Sequence, residues 1–338
     1  MRILVTRTDR MGDVILSIPA VRHLRRVCPD AYIAFMVSSD NRELALEEED
    51  IDEVIGYDKR SAHKGFLSNL KFARELRKKK FDIAIALHPS TRGHLLLFAA
   101  GIPRRIGYNK KWGHLLTKRI PHEKQYGNKH EVDYNLELVR LSGFDISDAD
   151  RQPRVLAGEK KLKEMGMRLK ELGATGAVVA IHAGASCRSK RWPLERFAAA
   201  ADILSEKYSA EIVIVGDGAS IKGALDMEKM MKKKPFDMTG ELGVSELAAL
   251  FSMCSLVISN DSGPAHLAAA VGTPVVVIFG RNDPGLSPAR WAPVTDKKRV
   301  LHSPPACSPC LAHNCEIAFR CLSNITVQNV VEAANALL

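Results

Sequence analysis

Apolar residues in this chain fall into short runs of strand length, separated by stretches with helical spacing. In the first half, Ile3-Leu4-Val5, Tyr32 to Val37, Val54-Ile55 and Phe81 to Leu87 read as strands. After a loop from Thr8 to Gly12, the residues Val14, Ile15, Ile18, Val21 and Leu24 recur on one helical face, so a helix is expected from Asp13. Pro19 lies inside that pattern and should kink the helix or shift its start. Phe66 to Lys79 reads as an amphipathic helix with a basic face, and Leu95 to Ala100 and His130 to Leu141 as further helices. In the second half, helices are expected at Glu159 to Leu172, Leu194 to Lys207, Ile221 to Met231, Ser245 to Phe251 and Val327 to Leu338. Strands are expected there at Ala177 to His182 and Glu211 to Val215. The most informative stretch is Ser255 to Pro284, SLVISNDSGPAHLAAAVGTPVVVIFGRNDP. It reads strand, polar turn, alanine-rich helix, strand, as in a parallel α/β sheet. Two α/β domains are expected, 1–150 and 151–326, joined near 145–158 and followed by a terminal helix, 327–338, able to pack back on the first domain.

Composition supports two domains, since 338 residues with 46% hydrophobic content can bury two cores. No apolar run approaches bilayer length, and the N-terminus lacks the pattern of a signal peptide. Seven cysteines are an odd number for a disulfide framework, so a reducing, cytoplasmic setting is expected. The net charge of +10 is uneven. Residues 59–80 hold nine Lys or Arg against Glu75, and residues 102–130 hold eight against Glu123. These segments together carry +15, which leaves −5 for the remainder. The basic N-terminal half calls for an anionic partner: an acidic lipid surface, a phosphorylated acceptor or nucleic acid. Nucleic acid is the poorest fit, because aromatics are only 6% and the basic segments offer few stacking residues, chiefly Tyr108, Trp112 and Tyr126.

Three polar turns follow strands and are candidates for chemistry. Asp261, Ser262 and Gly263 sit where a helix start meets a strand's carboxyl end, a place suited to phosphate. The alternative is that Asp261 and Ser262 only cap the helix. His266 lies one turn further on and is either a ligand contact or a packing residue. Asp13 follows the first strand's loop and is either a general base or a helix cap. Ser186 and Lys190 follow the strand ending at His182; they form either a phosphate clamp or an exposed basic loop. Cys307, Cys310, Cys315 and Cys321 begin C-x-x-C and match a zinc site in ligand number, although the second spacing is C-x(5)-C. Reduced packed thiols are the other reading.

Met11-Gly12-Asp13, the stretch HAGASCRSKRWP from His182, and DSGPAHLAAAVGTPVVVIFGRNDP from Asp261 together resemble the ADP-heptose:lipopolysaccharide heptosyltransferases, glycosyltransferase family nine. The order and spacing of these motifs cover nearly the whole chain. The resemblance implies a GT-B fold, two Rossmann-like doubly wound domains facing a central cleft, and inverting transfer of heptose from ADP-heptose to the inner core of lipopolysaccharide. It assigns Asp13 as general base and Lys190 to the leaving diphosphate. Ser186, Asp261, Ser262, Gly263 and His266 would hold the donor. Family members often carry a glutamate after the strand that ends here at Val215; this chain has Asp217 instead, which would take its place near the ribose. Arg60, Lys64, Arg92 and Arg105 are the acceptor candidates. No cofactor is required, although a structural zinc at the cysteines stays open; the cysteine cluster is similar to one in many family members and there looks structural. The expected partners are an ADP-sugar, an anionic lipopolysaccharide core and the cytoplasmic face of the inner membrane, with no nucleic acid. The alternatives are another sugar-nucleotide donor, a sugar-nucleotide epimerase, or a non-catalytic basic binding protein.

Overall fold

The computed structural model describes residues 1–305, 307, 310 and 313–338. The chain divides into two compact units, Met1–Pro153 and Arg154–Leu338. The first contains β1 (Arg2–Arg7), α1 (Met11–Ile15), α2 (Ile18–Val27), β2 (Tyr32–Ser38), β3 (Glu53–Tyr57), α3 (Phe66–Lys78), β4 (Ile83–Ala86), α4 (Thr91–Ala99), β5 (Arg104–Tyr108), β6 (Lys118–Ile120) and α5 (Glu131–Leu141). The second contains α6 (Glu159–Glu171), β7 (Val178–His182), α7 (Leu194–Tyr208), β8 (Glu211–Ile214), α8 (Ile221–Met230), β9 (Phe236–Asp237), α9 (Val244–Met253), β10 (Leu256–Asn260), α10 (Gly263–Ala270), β11 (Val275–Phe279), α11 (Pro288–Trp291), β12 (Lys298–His302), α12 (Arg320–Ser323) and α13 (Val327–Asn335).

Each unit is built on one six-stranded, wholly parallel sheet. The orders are β3-β2-β1-β4-β5-β6 and, read from its other edge, β9-β8-β7-β10-β11-β12. The two are the same doubly wound order, although the sequence shows no internal repeat. This is the α/β, two-unit GT-B class that the resemblance implied. In each sheet the strand order reverses beside the first strand, between β1 and β4 and between β7 and β10. Ligands of open α/β sheets bind at the carboxyl ends of strands flanking such a reversal.

Alternation along the strands splits their side chains between two cores. Val179 and Ile181, Ile212 and Ile214, and Val276 and Ile278 meet α7, α8, α12 and α13 on one face of the second sheet. Leu4, Ala34, Met36, Ala84 and Ala86 meet α3 and α4 on one face of the first. Pro19 has the expected effect: its ring would meet the carbonyl of Ile15 in a continuous helix. The helix therefore breaks at Leu16-Ser17, and Pro19 lies in the first turn of α2. Val330, Val331 and Ala334 of the terminal helix α13 lie in the core of the second unit, and Asn335 accepts a bond from Tyr208 at 2.7 Å. No helix among the described residues is long and apolar enough to cross a membrane.

Val330→Asp should place an unpaired carboxylate in the second core and cost several kcal/mol. In a denaturant titration, the unfolding transition seen by Trp192 should move to lower concentration. Probes in the first unit should not follow it.

Candidate active site

In the first unit the site grows from the last residue of β1. Arg7 is buried, and its guanidinium has no water to turn to. It donates from Nε to Asp9 Oδ1 at 2.8 Å, from Nη1 to Glu131 Oε1 at 2.8 Å and Asn135 Oδ1 at 3.1 Å, and from Nη2 to Asp13. Glu131 opens α5 and is fully buried; it also accepts from Lys124 Nζ at 2.6 Å. Lys124 is itself buried, with its ammonium 4.8 Å from the centre of the Tyr108 ring and 5.5 Å from that of Tyr134. Two cations and three carboxylates thus share one desolvated cluster. A charge left alone there would cost several kcal/mol, so each member holds the others in place.

Asp13 is not a helix cap. The N-cap of α1 is Arg10, and Asp13 lies in the first turn with its carboxylate on Arg7. Burial pushes its pKa up, and the charges of Asp9 and Glu131 push the same way, against the pull of Arg7. A carboxylate raised in this way is a stronger proton acceptor than an ordinary aspartate. His88, just after β4, reaches Asp9 with Nδ1 at 3.2 Å. Burial, together with the charge of Arg7, depresses the His88 pKa to about 4, so it is neutral near pH 7.

In the second unit, the loop after β7 and the turn after β10 meet. Lys190 Nζ lies 2.6 Å from Asp261 Oδ2 and donates to the Asp261 carbonyl at 3.2 Å. Asp261 is buried and does not cap α10. Ser262 occupies the N-cap position, but its hydroxyl lies 3.1 Å from His182 Nδ1 and 3.0 Å from Ser259 Oγ rather than on a helix amide. At the start of α10, Pro264 has no N–H and the Ala265 N–H donates to the Ser262 carbonyl at 3.2 Å, so the Gly263 amide is the donor positioned for a ligand. Burial holds His182 at a pKa of about 4, neutral beside it. His266 is buried one turn along α10, Ser186 is exposed in the loop, and Asp217 follows β8, accepting a bond from Ser220 at 2.7 Å.

The loop carrying Lys190 is braced from three sides. Asn260 donates to the Ala183 carbonyl at 2.7 Å and accepts from the Trp192 amide at 3.1 Å. The Trp192 indole is buried and donates to the Ile325 carbonyl at 2.9 Å. Buried Arg281 donates to Ser189 Oγ at 3.0 Å and Cys187 Sγ at 2.6 Å. Gly280 lets the loop approach, because a Cβ there would lie 2.2 Å from the Ser189 carbonyl oxygen.

Asp13 thus belongs to one group, and Lys190, Asp261 and Ser262 to another. Arg60, Lys64 and Arg92 are on or beside the carboxyl edge of the first sheet; Arg60 and Lys64 are exposed, and Arg92 donates to the Lys59 carbonyl at 3.4 Å. Arg105 does not join them. It is the second residue of β5, near the amino edge of the sheet, where it donates to the carbonyls of Leu115 and Ile102 and lies over Phe98. Among the described residues, no group of three or more His, Cys, Asp and Glu is placed to hold a metal. Cys307, Cys310, Cys315 and Cys321 are free thiols. Burial pushes Cys321 up to about 11, with the other three adding to it. Sequence reasoning missed Arg7, Lys124, Glu131 and His88 as site residues. A cation ending an apolar strand was the visible signal for Arg7, but its partner Glu131 is 124 residues away. Asn260 and Arg281 flank the recognised motif and were passed over as loop polarity.

Glu131→Ala should leave Arg7 and Lys124 uncompensated and lower unfolding free energy by about 3–5 kcal/mol, measured by chemical denaturation. Gly280→Ala should push the Lys190 loop away. Nucleotide affinity, followed by calorimetry with ADP, should fall about 5- to 150-fold if the ~1–3 kcal/mol of overpacking is felt at the loop.

A model of the family described as Glycosyltransferase family 9 (heptosyltransferase) matches residues 69–318. The chain is 26% identical to Lipopolysaccharide heptosyltransferase 2 of Escherichia coli (strain K12), covering 100% of this chain and 99% of that protein. It is 27% identical over 282 residues to Lipopolysaccharide heptosyltransferase 3 of the same strain, 80% of each chain. Among solved structures, the glycosyl transferase family 9 protein from Veillonella parvula DSM 2008 matches with a TM-score of 0.91 at 26% identity, covering 99% of this chain and 96% of that one. With its motifs at the reversal points of two doubly wound sheets and a family match over most of its length, this chain belongs to glycosyltransferase family 9, the heptosyltransferases.

Proposed function

We propose that this enzyme transfers a heptose from ADP-heptose to a hydroxyl of the lipopolysaccharide core, with inversion at the anomeric carbon. The observation that carries the reading is the state of Asp13: a carboxylate raised by burial, fixed by a buried guanidinium, at the carboxyl edge of the first sheet. Two full-length or near-full-length relatives named as lipopolysaccharide heptosyltransferases support the acceptor class.

Asp13 takes the proton of the acceptor hydroxyl. The freed oxygen attacks the anomeric carbon of the donor, and the bond from that carbon to the phosphate oxygen breaks on the opposite face. Negative charge grows on the departing ADP, where Lys190, Ser186, Ser262 and the Gly263 amide receive it. Asp261 keeps the Lys190 ammonium aimed before the donor arrives and meets sugar hydroxyls beside His266. Asp217 stands at the nucleoside end. Arg60, Lys64 and Arg92 receive the anionic acceptor. Arg7 holds the oxygen of Asp13 that does not take the proton, and its charge offsets the carboxylates around it.

Asp13→Ala should lower kcat by at least ~100-fold in an ADP-release assay with a deacylated core acceptor, while ADP-heptose affinity stays unchanged. The wild-type rate should fall on acidification as Asp13 is protonated. Since its folded pKa is raised, that fall should begin at a higher pH than for an ordinary aspartate, and His88, near 4, should add nothing at neutrality. Equal turnover by Asp13→Ala would remove it as the base.

A further inference from the structure

Helix α3 has an unusual first turn. Its inward face is Phe72, Ala73 and Leu76, which join the core under the first sheet. At helical spacing the opposite face runs through Leu67, Lys71, Arg74 and Lys78, with Glu75 exposed at its margin, while Phe66 opens the helix on its flank. Phe66 is 74% exposed and Leu67 78%, the two most exposed large hydrophobic side chains among the described residues. Single exposed apolar residues are ordinary. Two adjacent ones at the tip of a helix, framed by cations, are not.

The frame is specific. Lys64 is exposed just before the tip, and Lys71 and Arg74 are exposed along the outward face behind it. The first turn of α3 carries no acid, although a helix start favours one, and its N-cap Gly65 makes no side-chain cap. The local field is therefore positive from side chains and helix amides together. The far end is tied to the body, with Arg77 donating to the Ala99 carbonyl at 3.3 Å and Lys79 lying 2.6 Å from Glu53. The first turn is held as well, with Asn69 accepting from the Tyr57 hydroxyl and donating to the His63 carbonyl at 2.8 Å, so Phe66 and Leu67 stand exposed on an ordered helix end. All strands of the sheet are parallel, so a helix that follows a strand starts at the carboxyl edge, where Asp13 lies. Lys59, in the loop leading to α3, lies in the electrostatic reach of Asp9, a partner of Arg7.

We propose that Phe66 and Leu67, with Lys64, Lys71 and Arg74 beside them, dock this enzyme onto an anionic lipid bilayer. The apolar pair enters the boundary between headgroups and acyl chains, and the cations pair with lipid phosphates. Docking by this edge turns the loop of Asp13 towards the surface that carries a lipid-anchored sugar acceptor. That purpose rests on the acceptor reading above; the lipid contact itself does not.

The test is sedimentation of the full-length protein with phosphatidylcholine vesicles, with and without phosphatidylglycerol. Wild type should bind the anionic vesicles. Phe66→Ser/Leu67→Ser should lose at least about tenfold in partitioning, from the apolar area of two side chains. Lys71→Glu/Arg74→Glu should lose the dependence on phosphatidylglycerol, and Leu225→Ser, an exposed apolar position on α8, should behave as wild type. Phe66→Trp, which keeps the apolar bulk, should shift its emission to the blue on adding anionic vesicles, whether or not the serine variant folds well. Turnover on a deacylated, soluble acceptor should be unchanged in the serine variant. Wild-type affinity in the serine variant, or no vesicle binding by wild type, overturns the proposal. So does a wild-type dimer, seen by light scattering, that the serine variant breaks, because the tip would then belong to a second copy. Vesicle binding that depends on Phe66 and Leu67 without any heptosyl transfer would leave the docking surface standing and remove the acceptor reading alone.

Discussion

At the end of β1 the guanidinium of Arg7 is held among the carboxylates of Asp9, Asp13 and Glu131, out of reach of water. These groups come from the first strand, the loop and helix after it, and the start of α5. Each is tolerable only because the others are present, since an isolated buried ion costs far more than any one of these bonds returns. The cluster therefore fixes where α5 meets β1. It also fixes the side-chain position of Asp13, whose raised proton affinity comes from the same desolvation. Packing and chemistry are one arrangement here, and Lys124 extends it to the aromatic pair Tyr108 and Tyr134.

The parallel sheet explains why the cluster is at that edge. Strands buried on both faces leave no solvent for polar groups along their length, so charge collects where they end. At the reversal between β1 and β4 the flanking helices diverge and leave room. The same order in the second sheet places His182, Asn260 and Asp261 at an equivalent reversal. One topology thus presents a carboxylate on a buried guanidinium in one unit and a lysine–aspartate pair in the other. The difference lies only in which side chains follow the strands.

The second site relies on close backbone approach rather than on buried charge. Gly280 admits the Ser189 carbonyl, Asn260 stitches the loop after β7 to Trp192, and Trp192 is anchored by α13 and the turn before it. The Lys190–Asp261 pair is the visible product of that bracing. Asp261 holds the Lys190 ammonium through its carboxylate and its carbonyl, so that charge has one orientation in the loop.

Much of this was legible in the residues. Runs such as FDIAIAL and PVVVIF are long and apolar enough to declare buried strands, and the glycine-bearing turns after them mark the carboxyl ends where ligands bind. Pro19 announced the break between α1 and α2 because its ring excludes a continuous helix. The strand β5 and the edge strands β6, β9 and β12 were not legible: RRIGY, KRI, FD and KRVLH are short, charged or both, and they are strands only because a neighbour offers backbone partners. Asp13, Lys190 and Asp261 could be nominated from motif and spacing. That Asp13 leans on Arg7 and Glu131, that Ser262 bonds His182 instead of capping α10, and that Arg105 braces the wrong edge of the sheet for an acceptor were decided by the fold. Local sequence sets periodicity and turn chemistry within a few residues. The environment that moves a pKa or pairs a charge is assembled from segments more than a hundred residues apart, and only tertiary packing brings them within hydrogen-bonding distance.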